Sequence, residues 1–184
     1  AERLVRAAGE ALPVSIFRPA MVVGDSRTGA IKTFNTLYVP LRLYLTGRLR
    51  VLPVSAGLKV SLVPVDHVAD AACRLTLDPR AAGLTFHLVA PAEALPTAGD
   101  LLAAVREWAA EHLGVRLPRP LFVPAAGLAA RGRLQALAPY FREHGEFLRA
   151  NSDRLLGPYP MRWRELLPPL LEYAAAQGFF HRSE

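Results

Sequence analysis

Residues 13–31 read PVSIFRPAMVVGDSRTGAI. Val14, Ile16 and Phe17 suit a buried strand, and Pro19 ends it because proline brings no N–H to a ladder. Asp25 to Gly29 (DSRTG) forms a turn. Beyond it Phe34, Leu37, Tyr38, Leu41 and Leu45 recur at three- and four-residue steps, which predicts a helix up to about Gly47 that Pro40 kinks or splits. A buried strand running through a glycine-containing turn into a helix is where open α/β sheets place ligands. Gly24 and Gly29 let the backbone approach a ligand closely. Ser26 or Thr28 would cap the helix, whose free N–H groups favour an anion.

Outward from this stretch, residues 1–11 read as the end of a helix with Leu4, Val5 and Ala8 on one face, stopped by Gly9 or Pro13. Residues 51–65 hold extended pieces. Asp66 opens a helix, DHVADAACRLTLD, and is placed to cap it, worth about 1 kcal/mol. Val68, Ala69, Ala72, Cys73 and Leu75 form its expected inner face. GLTFHLVAP (83–91) is a second buried strand, and Thr97 or Asp100 starts a helix that Gly114 ends. RLPRPLFVP is extended, 125–149 and 163–177 read as helical, and NSDRLLGPYP (151–160) reads as a loop between them. Strands separated by helices indicate an α/β fold with parallel strands. Two or three strands are few for such a sheet, so the chain reads as the second half of a larger α/β fold, and its first residue, Ala1, already reads as mid-helix.

The composition allows a core: 52% of the 184 residues are hydrophobic, so wholesale disorder is excluded. Pro40 and Arg42 break the apolar run LYVPLRLYL (37–45), and two prolines break PLFVPAAGLAA (120–130), so neither supplies the roughly 18–20 uninterrupted residues of a membrane span. A single cysteine, Cys73, excludes an internal disulfide framework and fits a reducing, cytoplasmic setting. Net charge is +6, and the segment 26–65 carries six basic residues (Arg27, Lys32, Arg42, Arg48, Arg50, Lys59) with no acidic one. Such a segment is either a solvated basic face or a surface for an anionic ligand or partner. Nucleic acid is not indicated, because no stacking aromatics interleave these charges and no nucleic-acid-binding motif occurs.

Self-contained sites are missing from the sequence. There is no G-x-G-x-x-G or Walker loop and no G-x-S-x-G elbow. The histidines (67, 87, 112, 144, 181) lack zinc spacing, so no metal is expected. Cys73 reads as an inert core thiol. His67 beside Asp66 and Asp70 reads either as a surface histidine stabilised by carboxylates or as an acid–base pair.

Two motifs add a resemblance. AERLVRAAGEALPVSIFRPAMVVGDSRTGAI, followed by SLVPVDHVADA about forty residues on, resembles the C-terminal half of extended short-chain dehydrogenases/reductases. Within that family, a relative of the NAD-dependent epimerases and dehydratases, it looks most like the thioester-reductase and fatty-acyl reductase branch. The likeness is good over about 1–90 and loose beyond, and it implies a partial Rossmann-type fold, with 1–95 as the last part of the NAD(P)-binding domain and 96–184 as a mostly helical substrate-binding region. It implies that Pro19, Ala20, Met21 and Val22 form the wall beside the nicotinamide of NAD(P)H. It places Gly24, Ser26, Arg27 and Thr28 at the active-site mouth, and Phe34 and Tyr38, with Leu41 and Leu45, along an acyl or pantetheine channel or in ordinary helix packing. Arg18 is expected in a buried ion pair or carbonyl contact.

The family's glycine loop and catalytic Tyr-x-x-x-Lys pair do not occur in this sequence and are expected upstream of Ala1. No catalytic residue is therefore assigned, and this chain alone is expected neither to hold the cofactor tightly nor to reduce a substrate. The resemblance implies an oxidoreductase acting on acyl thioesters borne by CoA or an acidic carrier protein. A nucleotide-sugar epimerase or dehydratase, a sterol-type dehydrogenase and a non-catalytic binding module remain as alternatives. An open strand edge is expected to drive self-association or pairing with the missing half.

Overall fold

The computed structural model describes residues 2–9, 11–123 and 147–181. Its strands pair only in parallel, in three two-stranded ladders. β1 (Ile16–Pro19) pairs with β5 (Thr85–Leu88), β2 (Met21–Val23) with β4 (Leu62–Pro64), and β3 (Val51–Leu52) with β6 (Leu121–Phe122). Six α-helices are described: α1 (Glu2–Ala8), α2 (Tyr38–Leu45), α3 (Val65–Thr76), α4 (Ala98–His112), α5 (Ala150–Leu156) and α6 (Trp163–Ala176). The expected α/β class is borne out.

The stretch that begins the sequence reading is two strands. Pro19 ends β1, as expected, but extended backbone resumes one residue later. The Ala20 N–H still donates to Leu88 O of β5 (3.1 Å), whereas the Met21 N–H donates to Ser61 O (3.3 Å). The chain changes partner across one peptide unit, leaving β5 for β4. This is the step that separates the two halves of the molecule.

Two apolar cores result. The larger is enclosed by α2, α4 and α6, with Tyr38, Val105 and Leu171 at its centre. The smaller consists of Ala71, Leu75, Ala81, Phe86 and Leu88, with Phe17, Leu155 and Leu156 against it. They interleave along the chain. The larger core draws residues from both sides of residue 95, and α5 packs with β5 and α3.

Several local expectations are corrected. Residues 30–37 are not helical, and α2 begins only at Tyr38, so Pro40 lies in its first turn. There its missing N–H removes no intrahelical bond and it kinks nothing. Asp66 does not cap α3: Pro64 occupies the cap position, and no side chain bonds there. Cys73 is exposed, because the buried face of α3 runs through Ala71 and Leu75 and leaves Val65, Ala69, Cys73 and Leu77 outside. Residues 150–156 form α5 rather than a loop, and 147–149 have no regular structure. The rest of the helix expected over 125–149, with His144, lies outside the described residues. Thr97 does cap α4, accepting from the Asp100 N–H at 3.0 Å, and Gly114 follows its end at φ +65°.

Candidate functional site

The largest described cavity lies beyond the carboxyl ends of β1 and β5, where open α/β sheets bind ligands. It measures about 730 Å³, within the usual range for ligand clefts. Pro19, Ala20 and Met21 form one wall, residues 57–61 another, and the segment after β5 (Val89 to Glu93) a third. Three cations, Arg18, Lys59 and Arg149, face it against one carboxylate, Glu93.

Each cation is held. Arg18 donates to Glu2 (2.5 Å) and lies 3.2 Å from His87 Nε2. His87 Nδ1 lies 2.9 Å from Leu148 O, which can only accept. The arrangement therefore places a proton on Nδ1 and leaves Nε2 to accept from the guanidinium. Arg18 thus makes the expected ion pair, but not a buried one: its side chain is 44% exposed. The arginines at 18 and 6 hold the Glu2 carboxyl below its usual pKa. Lys59 Nζ donates to Leu95 O (3.3 Å). Arg149, with only 10% of its side chain exposed, pairs with Asp153 at 2.6 Å and lies over the Tyr159 ring.

One polar atom at the cleft is not satisfied. Ser61 Oγ is buried and has no hydrogen-bond partner among the described residues. A buried hydroxyl without a partner costs free energy, about 1–3 kcal/mol, and is a natural contact for a ligand.

The residues expected at the site divide in two. Pro19, Ala20 and Met21 line the cleft, while Val22 sits in β2 opposite Val63. The N–H groups of Ala20 and Met21 are already committed to Leu88 O and Ser61 O, and Pro19 has none. A nicotinamide carboxamide could take only carbonyl oxygens and apolar contact from these three residues. They fit one end of a dinucleotide, while its phosphates would find no glycine loop in this sequence.

Gly24, Ser26, Arg27 and Thr28 serve the turn itself. Asp25 Oδ1 accepts from the N–H groups of Arg27 (3.0 Å) and Thr28 (2.9 Å) and from Thr28 Oγ1 (2.9 Å), which holds the Asp25 carboxyl below its usual range. Ser26 binds Asp66 twice, N–H to Oδ1 at 2.9 Å and Oγ to Oδ2 at 2.6 Å, tying the turn to α3. Both glycines are required by packing. A Cβ on Gly24 would lie 2.2 Å from Gly29 O, and one on Gly29 would lie 1.9 Å from Pro169 O. Their lack of a side chain admits neighbouring backbone, and because no helix starts at residue 30 the expected helix-end anion site is not formed. Phe34 stacks on Phe179 (4.3 Å between centroids) and meets Tyr38 edge-on, and Tyr38 Oη accepts from the Gly24 N–H.

Beside the cleft, Met21, Leu58 and Val60 also line a second, nearly all-carbon cavity of about 60 Å³ between α2 and α4. The α2 residues facing it are Pro40, Leu41 and Tyr44, with Leu37 just before the helix. Tyr44 turns its hydroxyl away to Pro118 O (2.7 Å).

His67 lies apart from the cleft. It meets Tyr159 edge-on at 5.1 Å, and burial lowers its pKa more than Asp70 and Asp66 raise it. The expected influence of the neighbouring carboxylates on its charged form is present, but the ring is partly buried rather than at the surface, and burial outweighs it. Burial also pushes the Tyr159 phenol up to about 12. No cluster of metal-binding side chains occurs among the described residues, and no described helix is long and apolar enough to cross a membrane.

Sequence reading missed Ser61, Lys59, His87 and Arg149 as cleft residues. Ser61 left one trace, a lone polar residue in the apolar run VSLVPV.

Residues 1–72, which contain both quoted motifs, match the model of an NAD-binding family described as male sterility protein. No curated protein matches. Among solved structures, the chain is 25% identical to the terminal R domain from the myxalamid PKS-NRPS biosynthetic pathway, with a TM-score of 0.74, covering 100% of this chain and 49% of that one. It is also similar in fold to the Bordetella bronchiseptica enzyme WbmF, solved with NADH (16% identity, TM-score 0.64, 97% and 51% covered). A third likeness is to UDP-glucuronic acid 4-epimerase from Bacillus cereus, solved with UDP-glucuronic acid and NAD (10%, 0.68, 96% and 50%). The chain therefore spans about half the length of the structures it matches. These likenesses bear out the resemblance to the extended short-chain dehydrogenase/reductase fold, its reductase branch included.

Proposed function

We propose that this chain is the substrate-side half of an NAD(P)H-dependent reductase that converts acyl thioesters to aldehydes or alcohols. The observation that carries the reading is the cleft at the ends of β1 and β5, with an apolar wall at Pro19–Met21, a cationic rim, and an adjoining, nearly all-carbon cavity. An acyl group on a phosphopantetheine arm has the matching parts: an apolar end, a carbonyl and an anionic phosphate. Residues 1–95 would complete the dinucleotide-binding domain and 96–184 would serve the substrate, in a cytoplasmic protein.

NAD(P)H, when bound, would supply the hydride. Pro19, Ala20 and Met21 would exclude water from one face of the reacting carbon. Arg18 would hold that wall through Glu2 and His87. Lys59 and Arg149 would attract the phosphate of the arm or the acidic surface of a carrier protein. Val22, Gly24, Ser26, Arg27 and Thr28 would act by keeping β2 and its turn in place, and Phe34 and Tyr38 by fixing α2. The proton donor would come from a Tyr-x-x-x-Lys pair outside these 184 residues. The cationic rim also suits the diphosphate of a nucleotide sugar, the second reading.

The test is NAD(P)H oxidation with butyryl-pantetheine and with UDP-glucuronic acid. The expected result is no turnover by the 184-residue chain and thioester-dependent turnover when the same chain follows a glycine-loop and Tyr-x-x-x-Lys half. Turnover by this chain alone, or response of the longer protein to the nucleotide sugar only, would overturn the proposal.

A further inference from the structure

The cavity between α2 and α4 is built differently from the cleft it adjoins. Leu37 and Leu41 from the start of α2 and the residue before it, Leu101 and Leu102 from α4, and Leu52 and Val54 from the β3 segment supply most of its carbon lining. Water in such a space would find few of the two to four polar partners it needs. The cavity adjoins the cleft at Met21, Leu58 and Val60, which line both, so only apolar residues stand between a ligand along the Pro19–Met21 wall and this space. Its size sets a limit. A dry apolar cavity of about 150 Å³ admits benzene, so one of about 60 Å³ has room for fewer than six carbons. That is room for a short or branched alkyl group and not for a long acyl tail.

We infer that this cavity is the binding site for the alkyl end of the ligand in the cleft and that it selects short acyl groups, with Leu102 closing its far side as the residue that sets length. The inference rests on the thioester reading for the identity of the ligand. The geometry alone requires only an alkyl end on a cleft-bound molecule. Leu102 belongs to α4, which is fixed by its Thr97 cap and by the burial of Val105 and Trp108, so the wall does not retreat to admit a longer chain. Removing three carbons from it would admit about two more methylenes.

The experiment is a titration of the 184-residue chain, carrying 13C-labelled leucine methyls, with butyryl- and hexanoyl-N-acetylcysteamine thioesters. The expected result is saturable shifts of the Leu41, Leu101 and Leu102 methyls, butyryl binding more tightly than hexanoyl, and a reversal in Leu102→Ala, where hexanoyl gains about tenfold relative to butyryl. Leu102→Met keeps the volume and should keep the butyryl preference, which guards against a general loss of fold. Equal affinities in the parent chain, or an unchanged ratio in a folded Leu102→Ala, overturn the inference even if the longer protein reduces thioesters. Butyryl binding at these methyls without any thioester turnover by the longer protein leaves the alkyl site standing and removes the reductase reading.

Discussion

The two cores of this chain differ in enclosure more than in composition. The larger one is walled by three helices, and Tyr38, Val105, Leu170 and Leu171 keep at most 1% of their surface. The smaller one has β5 at its centre and only partial cover. Ile16 and Phe17 are half-buried, and β1 pairs on one side only among the described residues. Apolar side chains stand exposed on its helices, Leu4 on α1 and Val65 on α3, with Leu77 just past the end of α3. A helix-walled core can satisfy its backbone within each helix, whereas a sheet satisfies its own only by adding strands. The helical lobe is thus closed by its own residues, and the sheet side is closed on one edge.

The largest expected consequence is association. In a parallel strand the N–H groups alternate sides, so while Ile16 donates to Leu84 O, the Phe17 N–H faces the open edge. That edge is solvated, so its unpaired groups do not carry the cost of buried ones. The driving force for pairing is the half-exposed apolar surface around it. Sedimentation at micromolar concentration should show species above the monomer, an association of about 8 kcal/mol. A sharp monomer boundary with strongly protected amides across β1 would break the contrast between the two regions.

Next in size is the joint between them. Gly29 (φ +69°) and Gly83 (φ +76°) share a left-handed backbone, but a Cβ at Gly29 meets Pro169 O and one at Gly83 meets nothing within 4 Å. Gly83→Ala should cost about 1 kcal/mol, the conformational term alone. Gly29→Ala should cost about 3 kcal/mol or more, because α6 must move. Thermal or urea unfolding of the two variants measures the difference. Equal losses would mean that α6 does not press on the turn.

A smaller effect is expected at Asp66, which joins the turn to α3. Asp66→Ala leaves the Ser26 N–H unpaired and should cost about 2 kcal/mol. Pairing it with Ser26→Ala in a double-mutant cycle should give a coupling of at least about 0.5 kcal/mol. Additive losses would return Asp66 to the role of an independent helix-end residue.

What the sequence made legible was local. Tyr38, Leu41 and Leu45 signalled an amphipathic helix, Thr97 and Gly114 bounded α4, and the apolar letters of GLTFHLVAP marked β5, because each signal lies within or at the ends of one element. The change of partner at Ala20 carries no such signal, since it depends on Leu88 and Ser61, far away in sequence. Asp66 had the right type and position for a cap, but Ser26 offered it two donors instead. Cys73 was misplaced because the inner face was drawn too wide: two residues from both Ala71 and Leu75, about 200° around the helix, it lies on the opposite side. The cleft suffered most: Met21 was legible from its motif, but Ser61, His87 and Arg149 come from three other segments and meet it only in the folded chain.

The finest difference between the regions concerns pH, and His67 carries it. The groups around this ring are Asp66 and Asp70, which favour its charged form, and Arg74 and Arg149, which oppose it, while burial against Tyr159 is the largest influence and lowers its pKa from 6.5. Above pH 6.5 the ring is neutral in both the folded and unfolded chain, so stability should not depend on it. As pH falls below 6.5 the unfolded chain takes up a proton before the folded one does, and stability declines until the lowered folded pKa is passed. The carboxylates held low by their partners, Glu2, Asp25, Asp78 and Asp100, lose their contribution only from about pH 4.5 downward. The interval between pH 6.5 and about 5 therefore lies above the range in which these carboxylates respond. Urea midpoints for the parent chain should fall across that interval, and those of His67→Gln should fall less. Parallel curves would mean that water reaches the ring freely, and that the sheet side is looser at α3 than its packing against Tyr159 indicates.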